Sequence, residues 1–428
     1  MGFKENIREE INKIPIVDTH EHIMAEEERN SRPIDIFYLF AHYASSDLVS
    51  SGMTQETLDK VRNPSLPLDK RWQDFAPYWE RIRNTAYAKA LILAMRDLFG
   101  IEDINEKTYE LITEKLKDSQ KKGWYRYVLR EKGNIAISLQ YVGTTDVDRE
   151  LFLPVAYYDH FITVRSKWDL NILERSYNVA IHSLDDLLKV LDISFEKDVK
   201  AGIVGIKSGL AYSRILRYDK VSKSEAELLF NRIYSHLGEG LGWEEAKPLQ
   251  DFLMHEVIKR AISYGLPITI HTGLQEGNAN IITNANPVHL VNLFLEYKEA
   301  KFDIFHGGYP YTSELATLAK NFQNVFIDMC WLHIISPTVA RRALHEWLET
   351  VPQNKIMGFG GDYIFVEGAY AHSLIARQNI ATVLIEKVED GYFSEEEAVK
   401  IANRLLRDNP VELFNLKTST ARDIRETK

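Results

Sequence analysis

From Ile135 onward, short apolar runs alternate with longer amphipathic stretches, and this alternation constrains the fold more than any other feature of the chain. The apolar runs cover residues 135–141, 151–156, 201–207, 267–271, 301–306, 325–328 and 356–359, each of strand length. An eighth run, Ile14-Pro15-Ile16-Val17, stands near the N-terminus. Helical patterning fills the intervals. Residues 225–237 and 244–264 carry it, the latter punctuated by Gly265 and Pro267. Asn286-Pro287, Ser313 and Ser336-Pro337 read as further helix starts. Two last helices span 373–388 and 395–406, the second opened by a capping box from Ser394 to Glu397. Strands separated by helices pair in parallel, and eight such units predict an α/β chain closed into a (β/α)8 TIM barrel.

Residues 25–130 break the rhythm. They carry helical patterns at 34–49, 72–99 and 106–116, separated by stretches such as Asn63-Pro64-Ser65-Leu66-Pro67. The expected organisation is a barrel built from residues 1–24 and 131–428, with 25–130 a helical insertion capping the active end. The aromatic residues of the insertion read as helix packing. Arg83 and Tyr87, one helical turn apart, are candidates to reach a ligand together. With 45% hydrophobic residues the chain can fill a large core. A formal net charge of -10 argues against nucleic acid and anionic membranes as partners. There is no apolar signal core or bilayer-length run, and Cys330 is the sole cysteine, so a cytoplasmic location is expected.

In a barrel the chemistry sits at the C-terminal ends of the strands. Strand 1 ends in His20-Glu21-His22, whose two imidazoles, two apart on an extended chain, point the same way. Strand 4 ends at Lys207, strand 5 at His271, strand 6 at His306, and strand 8 leads through Gly360-Gly361 to Asp362. Neutral imidazoles from His20, His22 and His271 with the Asp362 carboxylate make a mixed N/O set for one divalent ion, zinc by preference, leaving a position for water. Such an ion acidifies water, Asp362 can take up the proton, and His306 can stabilise an oxyanion or shuttle a proton. Glu21 is expected to make a strand-end hydrogen bond. Asp328 faces either the pocket or its own loop. His42, His160, His182, His236, His255, His289, His333, His345 and His372 are read as packing or surface residues. Gly358-x-Gly360-Gly361 lacks a nucleotide-loop pattern, and its glycines are expected to let the backbone pass close to the site. Trp331 and Tyr309 read as pocket-lining or packing aromatics.

These residues resemble the amidohydrolase superfamily: His20-x-His22, His271, His306 and Asp362 match its strand 1, 5, 6 and 8 motifs. Phe305-His306-Gly307-Gly308-Tyr309-Pro310 resembles the branch containing aminocarboxymuconate-semialdehyde decarboxylase. Gly205-Ile206-Lys207-Ser208, Ala211-Tyr212 and Gly358-Phe359-Gly360-Gly361-Asp362-Tyr363 are similar to the amidohydrolase-like domain fused to glutamine synthetase in FluG and nodulin-type proteins. The resemblance implies a metal-dependent hydrolase cleaving a C–N bond of a small carboxylate-bearing metabolite. A non-oxidative decarboxylase, a uronate-type isomerase and a catalytically silent metal-binding domain are the alternatives. It also implies two readings of Lys207. Carboxylated, Lys207 would bridge two ions; as an ammonium, it would grip an anionic substrate together with Tyr212 and Arg214. A homo-oligomer is expected from superfamily habit.

Overall fold

The computed structural model describes residues 2–235, 238 and 240–416. Eight parallel strands form the centre: β1 (Ile16–Glu21), β2 (Ile135–Gln140), a split β3 (Phe152–Pro154 with Ala156–Tyr157), β4 (Ile206–Ser208), β5 (Ile268–Ile270), β6 (Phe302–Ile304), β7 (Val325–Asp328) and β8 (Ile356–Met357). Each pairs with the next in chain order. The break in β3 falls at Val155. Its N–H bonds back to the Gln140 carbonyl at 3.0 Å, and the next N–H, that of Ala156, crosses to Gly205 at 3.2 Å, so one strand serves both neighbours. Beyond β8 the chain returns to β1. Thr19 N–H donates to the Phe359 carbonyl (3.1 Å), Asp362 N–H to His20 (2.7 Å) and His22 N–H to Tyr363 (2.9 Å). The strands are buried on both faces, as a barrel wall wrapped in helices requires.

Local signals placed most helices. Asn286 and Ser336 accept hydrogen bonds as N-caps ahead of Pro287 and Pro337, and the Ser394–Glu397 capping box is formed. The helix expected over 225–237 runs Lys223–Ser235; its expected end at Leu237, like His236, lies outside the described residues. Two helices, Lys167–Tyr177 and Leu184–Lys200, fill an interval for which the sequence reading proposed none. The signal was present, since Ser166–Asp169 and Ser183–Asp186 both form capping boxes.

Between β1 and β2 the chain is helical, as expected, but more finely divided. The pattern over 72–99 is two helices, Leu68–Ile82 and Ala86–Phe99, because Thr85 caps a new start by accepting from Ala88 N–H. Phe40, Phe75 and Trp79 pack edge to face inside this segment. Its tie to the barrel is ionic. Arg29, on the helix Glu26–Ser31, pairs at 2.6 Å with Glu367 on the barrel helix Val366–Glu389, both side chains being fully buried, and Trp124 Nε1–H donates to the same carboxylate at 2.8 Å. No described helix is long and apolar enough to cross a membrane.

A buried pair broken on one side strands the other charge. Glu367→Ala is therefore expected to cost about 3–5 kcal/mol, read as a lowered urea midpoint, by leaving the Arg29 guanidinium without its carboxylate.

Candidate metal centre

The strand ends deliver a compact set of donors. His20 Nε2 lies 3.0 Å, and His22 Nε2 3.4 Å, from the same Asp362 oxygen, Oδ1. These separations come up to the edge of about 3.4 Å between ligands of a tetrahedral ion with bonds of about 2.1 Å. Hydrogen bonding fixes the tautomer of His22. Its Nδ1 is 2.7 Å from the Tyr141 carbonyl, which can only accept, so in the neutral ring Nε2 presents its lone pair to Asp362. A lone pair facing a carboxylate oxygen calls for a cation between them. Burial, then the nearby Lys207, keeps His20 neutral well below the ordinary imidazole range. Burial opposes the charge on Asp362, yet the imidazoles around it hold its carboxyl well below the usual carboxylate range. The donor set thus fits a divalent ion.

Backbone strain marks the same place. Among described residues other than glycine, seven have positive φ, and three of them, His306 (66°), Trp331 (63°) and Asp362 (56°), lie around the site. The glycines before Asp362 answer to close approach, as expected. A Cβ on Gly361 would sit 1.8 Å from Glu21 Oε1, and one on Gly360 2.7 Å from Cys330 Cβ. Glu21 accepts from Tyr363 N–H at 2.8 Å and Asp18 from Gly361 N–H at 3.0 Å, so the two carboxyl groups grip the segment on either side of Asp362.

His271 stands outside the converging group. Its Nε2 is 2.9 Å from the Leu274 carbonyl and its Nδ1 2.9 Å from His306 Nε2, so both ring nitrogens are engaged. Its expected place as a fourth ligand is not reproduced, because the loop after β5 turns back over the ring. It borders the cavity instead. That cavity, of about 440 Å³, is also lined by His20, His22, Lys207, Tyr212 and Asp362. Lys207 is buried, its Nζ has no hydrogen-bond partner and lies 4.0 Å from the Phe305 ring centre. Burial lowers it to about 8.

Three expected substrate contacts are not brought there. Arg214, in the loop after β4, is buried against Asp251 at 2.5 Å and Gln250 at 3.0 Å, neutralised by the helix Trp243–Ser263. Arg83 closes a bidentate pair with Asp103 at 2.8 and 2.9 Å and stacks on Trp79, inside the helical segment. Tyr87 stacks on Tyr43 at 5.1 Å, one layer behind the cavity wall. Asp328 turns to its own loop, accepting from Cys330 N–H at 2.6 Å. Conversely, His42, Tyr43, Tyr157 and Glu276 line the cavity without having been singled out. Tyr43 and His42 reach it only because the segment after β1 folds back, and Tyr43 O–H donates to the Asp362 carbonyl at 2.5 Å. A wider chamber of about 1040 Å³ adjoins, bordered by the same His22 and Tyr157.

Comparison with known proteins agrees with this geometry. Residues 231–416 match the family model described as Amidohydrolase. Protein fluG of Emericella nidulans is 29% identical over 226 residues, 50% of this chain; the match spans only 26% of fluG. A uronate isomerase from Thermotoga maritima superposes with a TM-score of 0.80 at 19% identity, over 96% of this chain and 97% of that one. A glucuronate isomerase from Caulobacter crescentus gives 0.78 at 18% identity, over 97% and 94%. The chain thus carries an Amidohydrolase family match over residues 231–416, resembles part of fluG, and shares its barrel fold with the two isomerases.

Proposed function

We propose that the enzyme hydrolyses a C–N bond of the amide type in a small, carboxylate-bearing metabolite. The observation that carries this reading is the unpaired, buried Lys207 facing the same cavity as His20, His22 and Asp362. A lone ammonium at the bottom of a cavity is costly unless an anion arrives to meet it. His20, His22 and Asp362 would hold the ion, with zinc the metal that suits their donor set. The bound ion supplies Lewis acidity, acidifying a water and polarising a substrate oxygen.

The remaining roles fall to the chain. Asp362, ionised, takes the proton from water and returns it to the leaving nitrogen, so that water adds across the C–N bond and an amine departs. Lys207 binds the substrate carboxylate as a point charge, and Tyr212, whose hydroxyl accepts from Glu276 N–H at 3.0 Å, borders it. His306 stands 3.7 Å from Asp362 Oδ2 and is held in place by its hydrogen bond to His271. Isomerisation of a uronate is the second reading, favoured by superposition on a uronate isomerase over 96% of the chain. It uses the same carboxylate grip.

Three outcomes are expected. Metal-loaded protein offered N-acyl amino acids and uronates should release amine from the former; interconversion of a uronate without amine release would instead assign the isomerase, and carbon dioxide a decarboxylase. Asp362→Asn should lower kcat by about 10²–10⁴-fold with the circular dichroism spectrum unchanged, and elemental analysis should find the ion lost from the His20→Ala, His22→Ala double variant. Because Lys207 is charged only below about 8, kcat/KM should fall as pH rises through that value, and Lys207→Met should raise KM and remove this limb.

A further inference from the structure

We infer that Asp362 is shared between two cation subsites, the second made by His306 and Cys330 and suited to a thiophilic divalent ion. The inference rests on the metal-dependent reading above and adds a site to it. Its basis is a division of labour between the two oxygens of one carboxylate. Oδ1 faces His20 and His22 at 3.0 and 3.4 Å, while Oδ2 faces His306 Nδ1 at 3.7 Å. Donor atoms of His306, Cys330 and Asp362 all lie within 4.8 Å of one another, and all three residues are buried.

The hydrogen bonds around His306 leave a lone pair where a cation would go. The Leu274 carbonyl can only accept, so His271 Nε2 carries a proton and its Nδ1 is bare. That bare nitrogen takes its hydrogen bond from His306 Nε2, at 2.9 Å, which leaves His306 Nδ1 unprotonated in the neutral ring. This nitrogen faces Asp362 Oδ2 and, at 3.4 Å, the Cys330 carbonyl. Lone pair, carboxylate oxygen and sulfur thus meet, with the thiol proton the one hydrogen among them. A cation that displaces this proton satisfies all three at once.

The backbone is shaped to keep them there. His306 and Asp362 hold positive φ, and Gly360 has no Cβ where one would lie 2.9 Å from Cys330 Sγ. Lys207 takes no part, since its Nζ rests over the Phe305 ring. Sulfur, nitrogen and oxygen donors together select zinc or cadmium over magnesium or calcium, and coordination deprotonates the thiol. Cys330 and His306 are fully buried and do not line the cavity, so this ion sits behind Asp362 as a closed site, the Cys330 carbonyl being held by the Leu332 N–H at 2.7 Å.

Cadmium titration of chelator-stripped, full-length protein tests this, with bound metal counted by equilibrium dialysis and the ultraviolet thiolate-to-cadmium band recorded. Wild type should bind two ions per chain and develop the band. Cys330→Ser should bind one and show no band, and the His20→Ala, His22→Ala double variant should bind one and keep it. A single ion in wild type, or two ions without the band, overturns the second subsite while leaving the first intact. No bound ion at all overturns the metal-dependent reading with it. The wild-type band decides the matter even should Cys330→Ser fail to fold.

Discussion

The return of β8 onto β1 is the constraint on which the rest of the structure depends. Three backbone hydrogen bonds join the segment after β8 to the end of β1, and they alternate with the residues that carry the donors. Asp362 donates its own N–H to the His20 carbonyl, so the ligand carboxylate and the first imidazole are fixed by one backbone contact. The approach is too close for side chains at 360 and 361, which is why glycines stand there. His372 and His333 complete the clamp from outside the barrel, their rings meeting the Gly361 and Gly358 carbonyls at 2.9 and 3.0 Å.

Beneath the donors the barrel interior is unusually acidic. Burial pushes Asp18 up to about 6, Asp328 to about 7, and Glu21 and Asp303 well above the carboxylate range. Glu21 and Asp18 each receive a backbone N–H from the Asp362 segment. Burial and the charge of Asp18 favour a proton on Glu21, which avoids two negative charges side by side. The acids therefore brace the metal centre from below while leaving Asp362 as the carboxylate that stays ionised.

The segment between β1 and β2 supplies the other wall. Its helices bury their own aromatic core, and charges that looked available in the sequence are consumed by that packing. Arg83 pairs with Asp103 and Arg29 with Glu367. What reaches the cavity is the 3₁₀-to-helix junction at His42 and Tyr43, with Tyr43 stacked between Tyr87 and Trp331. The cavity wall is thus part barrel and part insertion.

The strands and their order were legible in the sequence because each depends on short-range pattern. A run of buried β-branched residues marks a strand, a cap marks a helix, and the parallel barrel then dictates that residues following the strands meet at one end. Ser166-x-x-Asp169 and Ser183-x-x-Asp186 show that even the two unread helices were written locally. Tertiary structure alone decided which of the gathered residues converge and which are spent elsewhere. The engagement of His271 by Leu274 and His306, the burial of Arg214 against Asp251, and the arrival of His42 and Tyr43 all turn on contacts between residues distant in sequence. Side-chain charge and type can be read residue by residue; whether a charge is free depends on a partner that only the folded chain brings within reach.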